Sequence, residues 1–480
     1  MRGGEKAYPD GVIKAIPDET TIHAETQTIN EQRYDTRYLE HEHAVAKIGE
    51  TEYNHLSYAI SASNPGDTII LLEDNYLFSS LIIPAETEAT ILTDGYNLIS
   101  GNQIVNNSKI TIIGNGQQRS AISGYNSNDY YVVNSSNAEL NLQNINIIAN
   151  KGVNNEGSCS LNSVNIKVAD IAINNSGILA LNTVNIEESN TAINNTGTIT
   201  AQNNIILTGT TYPIYNNGGE ATLSDVILTG QRIYNNSGVL TLSNGSATRT
   251  DRSVKEYVTN KGTLTLDTFH ITLNNEYFYH SSYTSSWDHA YAIYNEGALN
   301  VINDSSINHI IGTPTTYFQA YASAVYNDGI VTITNSTVNI DTTNASSVSQ
   351  SVYGIYNNSG NITIESGSIN TTGKSTAYGI LNISGNVTIG IPESNTSPNY
   401  GKDTADVSLT SPDIKATGTS TGIGIKNNTG KVYYYDGKIS GSTEAMPERP
   451  TEIEYLYEPK DEVDENGYHV RTLEWMRQQP

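Results

Sequence analysis

One short phrase recurs along this chain and constrains its fold more than anything else in it. An aliphatic residue is followed by Tyr or Asn, then by Asn-x-Gly, then by an alternating apolar-Thr-apolar run. The phrase reads Val153-Asn154-Asn155-Glu156-Gly157, Ile173-Asn174-Asn175-Ser176-Gly177, Ile193-Asn194-Asn195-Thr196-Gly197, Ile214-Tyr215-Asn216-Asn217-Gly218-Gly219 and Ile233-Tyr234-Asn235-Asn236-Ser237-Gly238. It returns around Gly262, Gly297, Gly329, Gly360, Gly385 and Gly430. The glycines from Gly157 to Gly238 are spaced by 20, 20, 22 and 19 residues. Two and four residues beyond each glycine the chain is apolar, as at Leu179 and Leu181, Leu240 and Leu242, or Val331 and Ile333, with Thr usually between them, as at Thr200, Thr241 and Thr332. A period of two is the signature of a strand with one face buried. Strands that return every ~20 residues stack in parallel as the coils of a solenoid.

The expected fold is therefore all-β, a right-handed single-stranded parallel β-helix with coils of ~20 residues and a short N-terminal capping helix. Second strands are visible at Val164-Asn165-Ile166, Val184-Asn185-Ile186, Val226-Ile227-Leu228 and Val338-Asn339-Ile340. The Asn near each glycine then falls into a column, Asn155, Asn175, Asn195, Asn217, Asn236, Asn260, Asn295, Asn327, Asn358 and Asn428, read as a structural ladder. An Asn amide both donates and accepts, and Asn tolerates the left-handed backbone expected at such a corner. A coil burying about five aliphatics at roughly 1.5–3 kcal/mol each does not offset the backbone entropy of its residues, so coils need neighbours and the ends need covers. Tyr53, Leu56 and Ile60 form one helical stripe, which places the cap helix near 53–62, with Asn64-Pro65-Gly66-Asp67 ending it. The division expected is an extension or linker over 1–45, the β-helix over 46–441, and an acidic segment over 442–480 that is a candidate start of another module.

Composition supports this reading. Asn is about one residue in eight, and only 16% of residues are charged. The net charge of −25, with 20 of the 50 acidic residues in 1–50 and 441–480, excludes a basic face for nucleic acid or anionic lipid. The single cysteine, Cys159, excludes a disulfide framework and a multi-cysteine metal site, and strand alternation accounts for it as a small core residue. No run approaches the ~20 apolar residues of a membrane span, so no membrane insertion is expected. The start lacks the apolar core of a signal peptide and no sorting motif precedes Pro480, so a chain working outside the cell is expected to be a fragment or mature piece.

The run Ala46-Lys47-Ile48-Gly49-Glu50-Thr51-Glu52-Tyr53, followed by Gly66-Asp67-Thr68-Ile69-Ile70-Leu71-Leu72 and Thr90-Ile91-Leu92-Thr93-Asp94-Gly95-Tyr96, resembles the entry into adhesin-like surface proteins of Gram-positive bacteria. The Ile-Tyr-Asn-Asn-x-Gly coils and Val432-Tyr433-Tyr434-Tyr435-Asp436-Gly437-Lys438-Ile439-Ser440-Gly441 resemble them too. The resemblance covers about residues 46–441. It implies a pectate-lyase-like β-helix and an extracellular or cell-surface location.

Enzymes on such a fold need clustered carboxylates for calcium or for acid and base roles. The acids of the repeat are scattered. The one candidate set is Arg249, Asp251 and Arg252 with Asp225 and Asp267, against which stands an ordinary surface ion-pair cluster. Asp461-Glu462-Val463-Asp464-Glu465-Asn466-Gly467 lacks the spacing of an EF-hand loop and reads as a solvated acidic turn. The period itself breaks locally: 35 residues separate Gly262 from Gly297 and 32 separate Gly297 from Gly329. These two insertions hold Tyr279, Tyr283, Trp287, His289, Tyr317, Phe318 and Tyr321. Aromatics of this kind bind glycans or protein hot spots, or else pack on the solenoid wall. His270, His280, His289 and His309 lie in the same region and are read as loop hydrogen-bonders rather than metal ligands.

The functional expectation is a non-enzymatic, adhesin-like segment that binds a glycan or a host-surface protein through these loops or acts as a spacer, with no cofactor and no metal. The alternative is a polysaccharide lyase or glycoside hydrolase on the same fold. The sequence sets no oligomeric state.

Overall fold

The computed structural model describes residues 43–77, 79–115, 120–124, 129–251, 255–275, 289–312, 321–343, 351–392, 412–454 and 457–475, together with the backbone of Glu5–Ala7, Ile13–Ala15, Thr20–Ile29 and Gln32–His41. The chain divides into two compact units, Met1–Ile173 with Gly177–Leu179, and Asn174–Ser176 with Ala180–Pro480. Both are parallel β-solenoids with three strands, hence three faces, per coil.

In the first unit the first face stacks Asp67–Leu71, Glu88–Leu92, Lys109–Ile113, Glu139–Gln143 and the start of Ser158–Val168, each parallel to the last and in register. The second face stacks Asn75–Leu77, Leu98–Ser100, Ser120–Gly124 and Ile145–Ala149. The third stacks Leu81–Ile83, Ile104–Asn106, Tyr130–Asn134 and Lys151–Asn155. The cap helix runs over Leu56–Ala62 and buries Leu56, Ala59 and Ile60. It begins later than the sequence stripe suggests, because Tyr53 belongs to the short strand Thr51–Tyr53, which pairs antiparallel with Ala46–Ile48. Ala46–Ile48 also pairs antiparallel with Asp67–Leu71 and so covers the outer edge of the first coil on that face. Within the stretch expected as a linker, Thr20–Ile29 and Gln32–His41 pair as an antiparallel hairpin.

In the second unit, strands in the middle coils bend around the corners as single long elements, Ile205–Ser224, Ile233–Asp251 and Thr263–Asn275. The later coils break into separate strands. Leu240, Leu264, Leu299, Val331, Ile362, Val387 and Val432 lie in one register column and all are buried. Between these and the next inward column, Thr222, Thr241, Thr265, Asn300, Thr332, Thr363 and Thr388 form an outward column on the first face.

The asparagine ladder is present, with its register refined. In the first unit Asn106 donates to Asn134 and Asn134 to Asn155, each at 2.8 Å. In the second unit Asn175, Asn195, Asn216, Asn235, Asn260, Asn295, Asn327, Asn357 and Asn382 each donate their Nδ2 to the next Oδ1 at 2.7 to 2.9 Å, the last to Asn427. The second amide proton bonds a carbonyl of the following turn, as from Asn216 to Gly219 at 3.0 Å and from Asn357 to Gly360 at 2.8 Å. Four expected rungs therefore move back one residue, from Asn217, Asn236, Asn358 and Asn428 to Asn216, Asn235, Asn357 and Asn427. The cause is turn length: three residues rather than two carry the chain from the rung to the glycine in those coils. The displaced Asn236 and Asn358 bond outside the core, to Asn217 at 2.8 Å and to Asp328 at 2.8 Å.

Where a glycine follows a rung, close approach requires it. A Cβ on Gly329 would lie 2.0 Å from the carbonyl oxygen of Gly297, and one on Gly360 would lie 2.1 Å from that of Gly329. Left-handed backbone at the ladder corner falls on glycines, Gly218, Gly238 and Gly385, rather than on the rung Asn, and non-glycine left-handed residues recur between the first and second faces, at Asn144, Ser163, Thr183, Asn204, Asp225, Asn244, Thr268 and Asn335. Cys159 is buried in register with Leu140, and burial pushes its thiol up to about 12, which leaves it inert.

Candidate functional site

The strands of the third face in the second unit carry the surface best suited to recognition. In the phrase Ile-Tyr-Asn the Ile and the ladder Asn both point inward, so strand alternation turns the Tyr outward. Register puts Tyr215 beside Tyr234, and Tyr294, Tyr326 and Tyr356 in consecutive coils of the same column, with Thr259 between the two groups. A second outward column holds Tyr291, Ser323, Tyr353 and Tyr378.

These rings touch one another. Tyr215 and Tyr234 stack with centroids 5.1 Å apart and planes within 5°. Tyr294 and Tyr326 lie 5.3 Å apart, Tyr326 and Tyr356 5.1 Å, and Tyr353 and Tyr378 5.5 Å, all stacked. The two columns interlock where Tyr291 reaches Tyr326 at 4.8 Å over the small Ser323, and where Tyr353 meets Tyr356 edge to face at 5.2 Å. Tyr291 and Tyr353 are nearly covered, at 7% and 4% exposure, whereas Tyr294, Tyr326, Tyr356 and Tyr378 are half-buried. Burial, reinforced by Asp328 and Tyr356, pushes the Tyr326 phenol up to about 12, and burial raises Tyr291, Tyr294 and Tyr353 as well. The phenols are thus neutral hydroxyls throughout the physiological range. Beside them Tyr294 donates to Glu296 at 3.0 Å, and Glu296 pairs with Lys261 at 2.8 Å, whose hydrogen bond holds the carboxyl below its ordinary range.

Of the expected ligand-binding residues, Tyr279, Tyr283, Trp287, Tyr317 and Phe318 lie outside the described residues, as does the side chain of His289. The backbone of His289 opens the strand His289–Asn295, and Tyr321 opens Tyr321–Asn327, both on the tyrosine face. The Tyr321 ring is 6.3 Å from that of Tyr353. The tyrosines preceding the ladder Asn were legible in the sequence, but nothing in it shows that they interlock with a second column.

Of the alternative catalytic set, the described members Asp225 and Arg249 stand toward opposite ends of the second face. Asp225 precedes the second-face strand Val226–Gly230, while Arg249 lies two residues beyond Ala247, which pairs with Leu228 toward the far end of that strand. Five residues of extended chain, roughly 16 Å, separate the two positions. Arg249 Nη1 donates to the Gln231 carbonyl. Asp267 accepts from Asn303 at 2.8 Å. Arg252 and the side chain of Asp251 lie outside the described residues. His270 contacts Ser306 at 2.9 Å, and His309 is buried with Nδ1 2.9 Å from the Ser323 carbonyl. His280 is also outside the described residues. Among the described residues no group of three His, Cys, Asp or Glu is placed to hold a metal ion, and no helix is long and apolar enough to cross a membrane. The acidic turn at 461–467 closes a hairpin, with Asp464 accepting from the Asn466 and Tyr468 amides at 2.9 Å each. No family model, no curated protein and no solved structure matches this chain.

Proposed function

We propose that this chain is a non-enzymatic, adhesin-like segment of a bacterial cell surface, whose solenoid presents a tyrosine face to a glycan or protein ligand. The observation that carries the reading is the interlocked pair of tyrosine columns from Tyr291 to Tyr378. Tyrosines offer large, amphipathic contact area, and rings already held by their neighbours have little entropy left to lose on binding. The aromatic insertions lead in sequence directly into the strands His289–Asn295 and Tyr321–Asn327 of this face. The separation of Arg249 from Asp225 along the second face weighs against the lyase or hydrolase alternative.

Arrays of glycans and of host-surface proteins, probed with the wild type and with the paired variant Tyr326→Ser, Tyr356→Ser, test the reading. The expected result is binding that falls roughly tenfold or more in the variant, as for loss of interface hot spots, with no product released. Turnover of an acidic polysaccharide that Asp251→Ala abolishes overturns it in favour of the enzyme.

A further inference from the structure

The last coil of the second unit ends on three strand edges, and each meets its own piece of the segment 443–475. On the third face, the Gly424 and Ile425 amides donate to the Glu444 and Ala445 carbonyls at 3.1 and 2.9 Å, and the Glu448 carboxylate takes the Asn427 amide at 3.1 Å. On the first face, Glu452–Ile453 pairs parallel with Tyr433 and Tyr434, and the Glu454 amide donates to the Tyr434 carbonyl at 3.0 Å. On the second face, His469–Trp475 pairs antiparallel with Lys438–Gly441. The reversal of direction ends the parallel stack there.

One side chain ties the three pieces together. Arg471 grips Asp461 in a two-pronged ion pair, Nε to Oδ1 at 2.6 Å and Nη2 to Oδ2 at 2.7 Å, which fastens the two strands of the terminal hairpin. Its Nη1 donates to the Glu448 carbonyl at 3.2 Å, beside the third-face piece. Its own carbonyl accepts the Tyr434 hydroxyl at 3.0 Å, from the first face. The outer hairpin strand, Tyr457–Val463, places Glu458, Pro459, Lys460, Asp461 and Glu462 on the remaining edge, a composition that resists further strand addition.

We propose that 443–475 is an edge cap latched by Arg471, and that opening it exposes a strand edge whose partner is a second copy of this chain. The first coil of the first unit supplies a match: among the described residues, its strands Asn75–Leu77 and Leu81–Ile83 pair on one side only. An edge that meets a different edge of the next copy makes a head-to-tail contact, which need not close. The cap therefore keeps a repeat that stacks on itself within one molecule from continuing into the next.

Sedimentation of the full chain across a concentration series tests this, comparing the wild type with the pair Val470→Pro, Thr472→Pro, which cannot sustain the antiparallel pairing. The wild type is expected at monomer mass throughout. The variant's mass is expected to rise with concentration and to return to monomer when a synthetic peptide of residues 457–475 is added. A variant that stays monomeric, or whose association the peptide does not reverse, overturns the proposal. Should the prolines unfold the coils, Arg471→Met serves the same test: it leaves the backbone pairing intact and raises the open fraction on the order of tenfold through loss of charged hydrogen bonds.

Discussion

His309 replaces an aliphatic residue in the solenoid core, and acid should find it. It lies in register between Leu273 and Ile340, fully buried. The Ser323 carbonyl can only accept, so the neutral ring carries its proton on Nδ1. Burial lowers its pKa from 6.5 to about 4, and the bond to Ser323 offsets part of that fall. The unfolded imidazole takes a proton near pH 6.5 and the folded one only near pH 4. Above the upper value neither state holds the extra proton and stability does not depend on this group. Between the two values the unfolded chain holds it, so stability falls as pH falls, and the loss is complete below the lower value. At about 1.4 kcal/mol per pH unit the interval amounts to roughly 3 kcal/mol, a sizeable share of the 5–15 kcal/mol that holds a typical domain. Urea unfolding of the wild type and of His309→Leu at several pH values from 7.5 to 4 isolates the effect, because titration of the carboxylates is common to both. The difference in midpoint between the two proteins should shift toward the variant across this range. A difference that stays constant with pH refutes the reasoning.

Three further outcomes follow from the packing. Asn216→Ala removes a rung that accepts from Asn195 and donates to Asn235, and should destabilise by on the order of 2–4 kcal/mol in denaturant titration, whereas its exposed neighbour Asn217→Ala should stay within about 0.5 kcal/mol. Gly329→Ala places a methyl against the Gly297 carbonyl and should cost about 1–3 kcal/mol by the same assay, although alanine in an unconstrained turn would be neutral or better. Cys159, with its thiol raised to about 12 by burial, should react with a thiol reagent at pH 8 only as fast as the chain opens, so that labelling accelerates with urea. Labelling at the rate of a free thiol in native buffer would contradict that placement.

The fold was legible because each coil repeats the same inward and outward choice. Leu240, Leu264 and Leu299 announce a core column, and Thr241 and Thr265 its outer face, wherever the local pattern is read. The ladder register was less legible. At Asn216-Asn217 and Asn357-Asn358 the sequence offers two adjacent amides, and only the direction of the strand selects the one that enters the core. Asn382 escaped notice because Ile383 stands two residues before Gly385, and Asn134 because Ser135-Ser136-Asn137-Ala138 carries no glycine at all. The tyrosine face was half legible: alternation turns Tyr294 and Tyr326 outward, but the contact of Tyr291 with Tyr326 depends on the small Ser323 between Tyr291 and Tyr353. The cap was hidden by its composition, since its acidic residues read as a solvated tail while its amides and carbonyls do the pairing.

Every coil of the second unit, whatever its length, advances the stack by one strand spacing. Thr222 and Thr388 are joined through Thr241, Thr265, Asn300, Thr332 and Thr363 by six successive register pairs. At about 4.8 Å per step they should stand roughly 29 Å apart. Nitroxide labels on cysteines at these two positions, in a Cys159→Val background, measure that separation by pulsed dipolar spectroscopy. One narrow distribution at about 29 Å is expected once the label arms are allowed for, and a value of ~10 Å on replacing the Thr222 label with one at Thr332. A broad distribution, or a distance that grows with the lengths of the intervening insertions, would contradict it.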